Sequence, residues 1–599
     1  MCGIYMTIQQ TDVHAGEKVF AGLKKIEYRG YDSWGVVVLN KFGFTLKKRT
    51  GKLSKLGQMH FVEGKCALGH TRWATHGGVT KENAHPHLAK NKSFVLAQNG
   101  VVENFQELRE QLLDWGYDFD SETDTEVIVG LLEFEMEQQK EQKLTSKIIR
   151  SVFRKLTGRN TIAILTQSGD SFAVRDGSPL IVGRSKDSAE IYFSSDVVSL
   201  SGDAVEYVVI QSGQMVEYVG KKLKITEVKS GKLVPFSFVP MSLDATVVDK
   251  EGYSSFMLKE IYEQAKVLSK VVVGKEKEFK AVAKTIKNAK TVFTLGAGTA
   301  SYAAGHTAYI LRKLGVPAVA IASYESDSFK QLCDEKSVCI VYSQSGETAD
   351  TNEVVEWMKA KGAKIISAVN MPGSTLTQLS DFPFMLQVGP ELAVASTKAF
   401  FGQMVWGMTV CELLSGSKFV EIKEIIYKFE QQLRVWFADI LVQDKIRKLA
   451  ESLVHKQHLF VLGRGDLYSS SLESALKLKE ISYIHAEGFS GGELKHGVIA
   501  LIEQGTPVLC LVAEDENKAN MLNAISEINA RGGFTIVIAS KDNELYKEWI
   551  EVPELKFRGM SFMTLMSIVP SQLLTCYMAM KKGCDVDKPR NLAKSVTVK

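Results

Sequence analysis

The sequence predicts a layered α+β unit built on antiparallel sheet, followed by two related α/β units built on parallel sheet. Three observations carry this. From Cys2 to about Val239 short apolar runs alternate with turn residues and a few helices, as in Phe94-Val95-Leu96-Ala97, Thr161-Ile162-Ala163-Ile164-Leu165 and Glu190-Ile191-Tyr192-Phe193. Beyond Pro235 and Pro240 the rhythm becomes strand, glycine turn, helix, which implies strands joined by crossover helices. Within that second region Val292-Phe293-Thr294-Leu295-Gly296-Ala297-Gly298 recurs in outline as Leu459-Phe460-Val461-Leu462-Gly463-Arg464-Gly465, so the unit is duplicated. The boundary falls near residue 240, where helical spacing resumes with Leu258 to Gln264. A chain of 599 residues is too long for one core and divides naturally in this way.

Composition excludes several classes of function. The 73 Lys and Arg against 69 Asp and Glu are spread evenly, with no basic block for nucleic acid. The eight cysteines are scattered without a CxxC pair, which fits reduced thiols and a cytoplasmic location. No basic segment followed by an apolar core opens the chain, so no secretory signal is expected. The most apolar run, Met560 to Met580, is interrupted by Ser567, Pro570, Ser571 and Gln572 and reads as a buried helix or helix pair, not a membrane span.

Four stretches offer chemistry. Removal of Met1 would leave Cys2 with a thiol and a free α-amine of pKa roughly 7.7 to 8.0, placing nucleophile and base on one residue, an arrangement suited to attack on a carboxamide. A signal peptide is incompatible with that terminal role. Next, His70-Thr71-Arg72-Trp73-Ala74-Thr75-His76-Gly77 and Ala84-His85-Pro86-His87 hold four of the 11 histidines. A metal is not expected there, since no carboxylate or cysteine joins them in a ligand pattern. Arg72 suits a substrate carboxylate and Asp124 a substrate amine, although ordinary salt bridges account for both equally.

Third, Ser343-Gln344-Ser345-Gly346-Glu347-Thr348 ends a strand and opens a helix, presenting hydroxyls and backbone N–H groups to an anion such as phosphate. Capping alone needs only one of those hydroxyls. The Gly296-Ala297-Gly298 turn lacks the third glycine of a dinucleotide fingerprint. Fourth, Glu473, Lys477 and Glu480 share one helix face. Spacing alone fits a surface ion-pair row better than a site, but the glycine-rich continuation to His496 supplies what proton transfer on a sugar needs.

Together these residues resemble the glutamine:fructose-6-phosphate aminotransferase (isomerising) family over nearly the whole chain. The resemblance also rests on Glu27-Tyr28-Arg29-Gly30-Tyr31-Asp32-Ser33, Ala395-Ser396-Thr397-Lys398-Ala399-Phe400, Gly463-Arg464-Gly465-Asp466 and the tail Asp585 to Val598. It implies an α+β N-terminal-nucleophile glutaminase domain (2–240), then two α/β sugar-isomerase (SIS) subdomains with parallel sheets, at 241–445 with a linker and at 446–599 with the tail. Glutamine and fructose 6-phosphate are the implied substrates, with no cofactor, no metal, no nucleic acid and no membrane, in a cytoplasmic homodimer.

By the same resemblance Cys2 attacks the glutamine amide, Asn99 and the Gly100 N–H form an oxyanion hole, and Arg72, Thr75, His76 and Asp124 hold the amino-acid end. Trp73 matches the family's gate on an internal ammonia channel. Ser343, Gln344, Ser345 and Thr348 bind the phosphate, with Thr299, Val394, Ser396 and Ala593 around the sugar. His496 opens the ring from the neighbouring subunit, Lys594 forms a Schiff base at C2, Glu480 moves the proton between C1 and C2, and Lys477 and Glu473 tune it. Three positions depart from the family pattern: Ala300 replaces a hydroxyl residue, with Ser301 beside it; Gln98 stands for a frequent histidine; and Trp34 follows Ser33 where a small residue is usual. Two other functions compete with this reading, a paralogue acting on a different phosphosugar and a sugar-phosphate-sensing module.

Overall fold

The computed structural model describes residues 2–241, 249–558 and 560–596; Met1, residues 242–248 of the expected linker, and Thr597 and Val598 of the tail motif lie outside it. The chain forms two compact units, one of Met1–Asp249 with Gly373–Thr375 and Ala593–Lys599, the other of Lys250–Pro372 with Leu376–Leu592.

In the first unit an eight-stranded and a six-stranded antiparallel sheet pack face to face. Strand Gly3–Gln9 lies inside the larger sheet, paired on one side with Cys66–Arg72 and on the other with Glu190–Ser194. Its alternation explains the layering: Ile4, Met6 and Ile8 point into the core between the sheets, while Tyr5 packs on the outer side against Gly22 of helix Ala15–Lys25. The smaller sheet carries Phe94–Gly100 beside Asn160–Thr166, and helices Phe105–Trp115, Asp124–Gln138 and Ser146–Phe153 cover its far face with Leu108, Leu112, Val127, Leu131 and Ile148. The three runs singled out in the sequence are all strands of these sheets.

The second unit contains two five-stranded parallel sheets with the same order. In the first, Ala318–Ala322 lies outside Thr291–Gly296, followed by Ser337–Ser343, Lys364–Val369 and Phe382–Met385. In the second, His485–Ser490 lies outside His458–Gly463, followed by Pro507–Leu511, Phe534–Ala539 and Glu548–Glu551. Chain direction of travel reverses between the first and third strands in sequence, which is where such sheets open a crevice beyond their carboxyl ends. One core spans both sheets, with Val292 and Ile340 from one and Val461 and Leu509 from the other. The apolar run near the C-terminus is a helix pair, Met563–Met566 and Ile568–Lys581, and 89% of its most apolar window is buried in protein. All eight cysteines are unpaired.

Two candidate active sites

The first site grows from the edge of the face-to-face sheets. Register places Gly3 opposite Thr71 and Ile4 opposite His70, so Cys2 emerges beside the end of strand Cys66–Arg72. A Cβ at Gly3 would lie 2.6 Å from Thr71 Oγ1, which keeps this approach to glycine. The half-buried Cys2 Sγ accepts from the Trp73 N–H at 3.4 Å and faces Trp73 O at 3.6 Å. Arg29 donates from Nε to Cys2 O at 3.1 Å and is itself anchored to the buried Asp196 at 2.9 Å. The Cys2 backbone is thus pinned by a charge-assisted contact.

Asn99 and Gly100 end the strand Phe94–Gly100. Gly100 takes φ +134°, and a Cβ there would meet Arg159 O at 2.1 Å, so no other residue fits this exit from the sheet. Asn99 is buried; its Oδ1 lies 3.2 Å from His70 Nε2, and its Nδ2 has no hydrogen-bond partner among the described residues. Thr123 caps helix Asp124–Gln138 by accepting from Glu126 N, which sets Asp124 at the first turn. Asp124 accepts from the Val102 N–H at 2.7 Å; burial raises its carboxyl above the ordinary value, against the pull of that N–H. Arg72 turns its guanidinium to the carbonyls of His76, Gly77 and Gly78. His76 stacks edge-on to Phe105 at 5.0 Å, Trp73 is half-buried and Thr75 is exposed.

His70, His85 and His87 are buried with ring centroids 4.3 and 5.0 Å apart, and burial depresses all three imidazoles, His70 to about 3. Their Nε2 atoms are engaged with Gln98 O and Asn99, with Thr125 and with Thr123. Among the described residues no group of three or more His, Cys, Asp or Glu is placed to hold a metal ion.

The second site lies at the crevice of the second unit. Helix Tyr468–Lys477 runs into a π-helical turn, Leu478–Ser482, ended by Tyr483 at φ +56°. Widened turns of this kind re-aim side chains and recur at functional sites. Here Lys477 Nζ lies 3.4 Å from Glu473, pairs tightly with Glu480 and donates to Thr299 Oγ1 at 3.0 Å. Lys477 and Glu473 have fully buried side chains, while Glu480 retains 21% exposure, so this is no surface row and Glu480 is the member open to a ligand. Burial pushes the Glu473 carboxyl up to about 8, against the Lys477 ammonium. Burial also disfavours the Lys477 charge, but the two carboxylates outweigh it and hold the lysine protonated.

The loop after Ser337–Ser343 follows the strand that pairs with Thr291–Gly296. Ser343 Oγ accepts from Gly346 N at 2.9 Å and Ser345 Oγ from Glu347 N at 3.2 Å, folding Gln344 to Thr348 into a tight turn before helix Ala349–Ala360. The Thr348 side chain makes no cap bond. In the second sheet the equivalent loop reads Val512-Ala513-Glu514-Asp515-Glu516-Asn517, whose acids would repel a phosphate. Val394 is buried, with its N–H on Asp587 O at 2.9 Å; Ser396 donates to Glu391 at 3.0 Å. Ser301 is spent locally on Gly298 O at 2.6 Å, and Ala300 is half-buried. His496 sits exposed on the short turn Glu493–His496, outside the hydrogen bonds and ion pairs of the lysine cluster. Ala593 and Lys594 are half-buried in the irregular tail.

Two groups that sequence reasoning left without a role stand in these sites. Arg29 lies in a stretch quoted only for its resemblance. Tyr302 follows Thr299 by one helical turn, and its phenol is raised to about 12 by burial and by Glu473 among its charged neighbours; the spacing was the available signal.

Comparison with known proteins decides the family. The SIS domain family matches residues 285–412 and 452–581, and the glutamine amidotransferase domain family matches residues 46–231. Proteins named glutamine--fructose-6-phosphate aminotransferase [isomerizing] align over 100% of both chains, at 36% identity in Thermococcus kodakarensis and 37% in Bacillus subtilis. The chain belongs to this aminotransferase family. A solved C-terminal domain of glucosamine-fructose-6-phosphate aminotransferase from Francisella tularensis, 30% identical, covers 57% of this chain and 99% of its own length with a TM-score of 0.50. In this family member the two duplicated halves differ, the hydroxyl loop lying in one and the lysine cluster in the other.

Proposed function

We propose that this chain transfers the amide nitrogen of glutamine to fructose 6-phosphate and isomerises the product to glucosamine 6-phosphate, releasing glutamate. The observation that carries the reading is the buried Glu473–Lys477–Glu480 cluster bonded to the glycine turn of the half whose crevice bears the hydroxyl loop. A sensor of sugar phosphate needs the loop but has no use for a fixed ammonium against an accessible carboxylate.

In the amidase half, the Cys2 thiolate adds to the amide carbon and the carbonyl oxygen becomes an oxyanion, met by the unpartnered Asn99 Nδ2 and the Gly100 N–H. The free α-amine takes the thiol proton and returns it to departing ammonia; water then cleaves the thioester. Asp124 receives the substrate amine, and Arg72 exchanges its carbonyl partners for the substrate carboxylate, a stronger charge-assisted pairing. Trp73, Thr75 and His76 line the amino-acid end.

In the sugar half, Ser343, Gln344, Ser345 and Thr348 bind phosphate, and Thr299, Val394, Ser396 and Ala593 surround the sugar. His496 opens the ring, Lys594 condenses with the C2 ketone, and ammonia displaces it to leave a C2 imine. Glu480 removes the C1 proton and delivers a proton to C2, while the Lys477 charge stabilises the intermediate and Glu473 fixes that lysine. Exposure of His496 supports a homodimer in which it serves the neighbouring copy. The functional divisions are 2–240, 241–445 and 446–599, and unpaired thiols support a cytoplasmic location.

Feeding amide-labelled glutamine with fructose 6-phosphate and weighing the amino sugar tests the whole reading. Label in glucosamine 6-phosphate is expected; unlabelled or absent amino sugar refutes it. Ala300 and the locally bonded Ser301 favour one second reading, a different ketose phosphate as acceptor. A panel of ketose phosphates separates the two, since only the second predicts turnover that excludes fructose 6-phosphate.

A further inference from the structure

The buried amide of Asn99 can face either way in its pocket, and only one way presents a donor. His70 determines which. Its Nε2 lies 2.9 Å from the backbone oxygen of Gln98 and 3.2 Å from Asn99 Oδ1. A backbone carbonyl has no hydrogen to give, so Nε2 must carry the imidazole proton. The amide atom facing that N–H must then be oxygen, because an amide nitrogen would set donor against donor. Asn99 Nδ2 is consequently turned the other way, buried and without a partner among the described residues. Leaving a buried donor unpaired is costly, and an incoming oxyanion recovers that cost.

Further residues hold the ring. Its strand neighbour across the sheet is Ile4, two residues from Cys2. One ring face stacks on His85 at 4.3 Å, and His85 Nε2 lies 3.1 Å from Thr125 Oγ1. Thr125 donates to Gln98 Oε1, so it accepts from His85, and Gln98 Nε2 donates to Asn160 Oδ1 at 2.6 Å. Gln98, on the strand that carries Asn99, is thus held both by His70 through its backbone oxygen and by Thr125 and Asn160 through its side chain. Burial keeps the imidazole neutral, so the single proton stays on Nε2 across the working pH range.

We propose that His70 is a positioning residue for the amidase reaction, fixing the Asn99 carboxamide so that its N–H, and not its oxygen, faces the developing oxyanion. The proposal rests on the oxyanion role of Asn99 given above. Without the imidazole donor the amide can rotate and offer its oxygen to the negative charge, which raises the barrier while leaving glutamine binding alone.

The test compares His70→Gln with His70→Met in the full chain. The two side chains have nearly the same shape, and glutamine's Nε2 reaches about where the imidazole Nε2 stood, whereas methionine has no donor. For glutamine hydrolysis, His70→Met should lose on the order of 100-fold in kcat with KM changed by less than about 3-fold, and His70→Gln should stay within about 5-fold of the parent. Adding His70→Met to Asn99→Ala should cost nothing more than Asn99→Ala alone. Equal losses in the Gln and Met variants, or a rise in KM at constant kcat, overturn the proposal. If Asn99→Ala collapses kcat but His70→Met does not, His70 fails and the oxyanion reading stands; if Asn99→Ala keeps its kcat, that reading falls and His70 with it. Should His70→Met not fold, His70→Phe, which keeps the stack on His85 without a donor, takes its place with the same expected loss.

Discussion

Lys477 Nζ lies 3.0 Å from Thr299 Oγ1, so the ammonium on one α/β half is bonded to the glycine turn of the other. Lys477 also donates to Glu480 and forms an ion pair with Glu473 at 3.4 Å. The duplicated halves are therefore joined chemically as well as by packing, and the carboxylate with residual exposure is held by a cation that cannot swing away.

Thr299→Val should weaken sugar isomerisation without touching glutamine hydrolysis. A hydrogen bond to a charged group contributes about 1.5–3 kcal/mol, so its loss at a site that stabilises charge corresponds to roughly a 10- to 100-fold fall in kcat. Thr299→Ser keeps the acceptor and should retain most of the rate. Fructose 6-phosphate turnover without glutamine measures both; equal rates for the two variants would show that Thr299 does not fix the lysine.

Above about pH 8, where Glu473 is ionised, Lys477→Met should destabilise the second unit by about 3–5 kcal/mol, because it strands Glu473 and Glu480 without their counter-charge. Combining it with Glu473→Gln should restore most of the lost stability but none of the activity. Thermal unfolding of the full chain distinguishes this from simple packing loss, for which the second substitution would bring no recovery.

The strands were legible because their signals are local. The short apolar runs in Phe94–Gly100, Asn160–Thr166 and Glu190–Ser194 and the glycine turn after Thr291–Gly296 need no partner to be read, and the repeat of the latter at His458–Gly463 revealed the duplication. Burial of the lysine cluster was not legible. Spacing put Glu473, Lys477 and Glu480 on one face, but nothing local says that the face meets a second sheet; that depends on residues such as Val292 and Leu509 more than 200 positions apart in a shared core. The role of Arg29 was hidden for the same reason, since its partners Cys2 and Asp196 sit 27 and 167 residues away. Ser301 stands beside Ala300, and only the folded chain shows its hydroxyl donating to Gly298 O at the turn.

Cys2→Ala should abolish glutamine-dependent amination while leaving fructose 6-phosphate isomerisation intact. The thiol has its contacts with Trp73, so its loss should remove the proposed nucleophile alone. Retaining Met1 should have the same effect, since the amine that accepts the thiol proton would then be an amide. Amino-sugar formation from glutamine by either form would exclude the terminal-residue mechanism.

Glu480→Gln and His496→Ala should each be inactive in sugar conversion, yet co-expression of the two should restore activity. His496 is exposed and outside the lysine cluster, so a site that uses both can draw them from two copies. Random pairing in a homodimer gives one intact site in about a quarter of positions, which sets the expected recovery at about a quarter of the parent rate. No recovery in the purified mixed dimer would place both residues in one chain's site.

Stability should fall from acid toward alkaline pH on account of Glu473, and Glu473→Gln should remove that slope. The carboxyl is raised by burial to about 8 in the folded chain, against roughly 4.3 when unfolded. Between these values the folded state binds the extra proton, and stability decreases wherever the unfolded state binds fewer protons. Lys477, raised in the fold, contributes stability that is fully present below its unfolded value near roughly 10.4, so it adds no slope across this window and cannot mask the effect. Unfolding midpoints of parent and variant measured from about pH 5 to 8 should therefore diverge, the variant gaining on the parent as pH rises. Parallel curves would mean that Glu473 is ionised throughout, and that the lysine is shared between two charged carboxylates instead of leaning on Glu480.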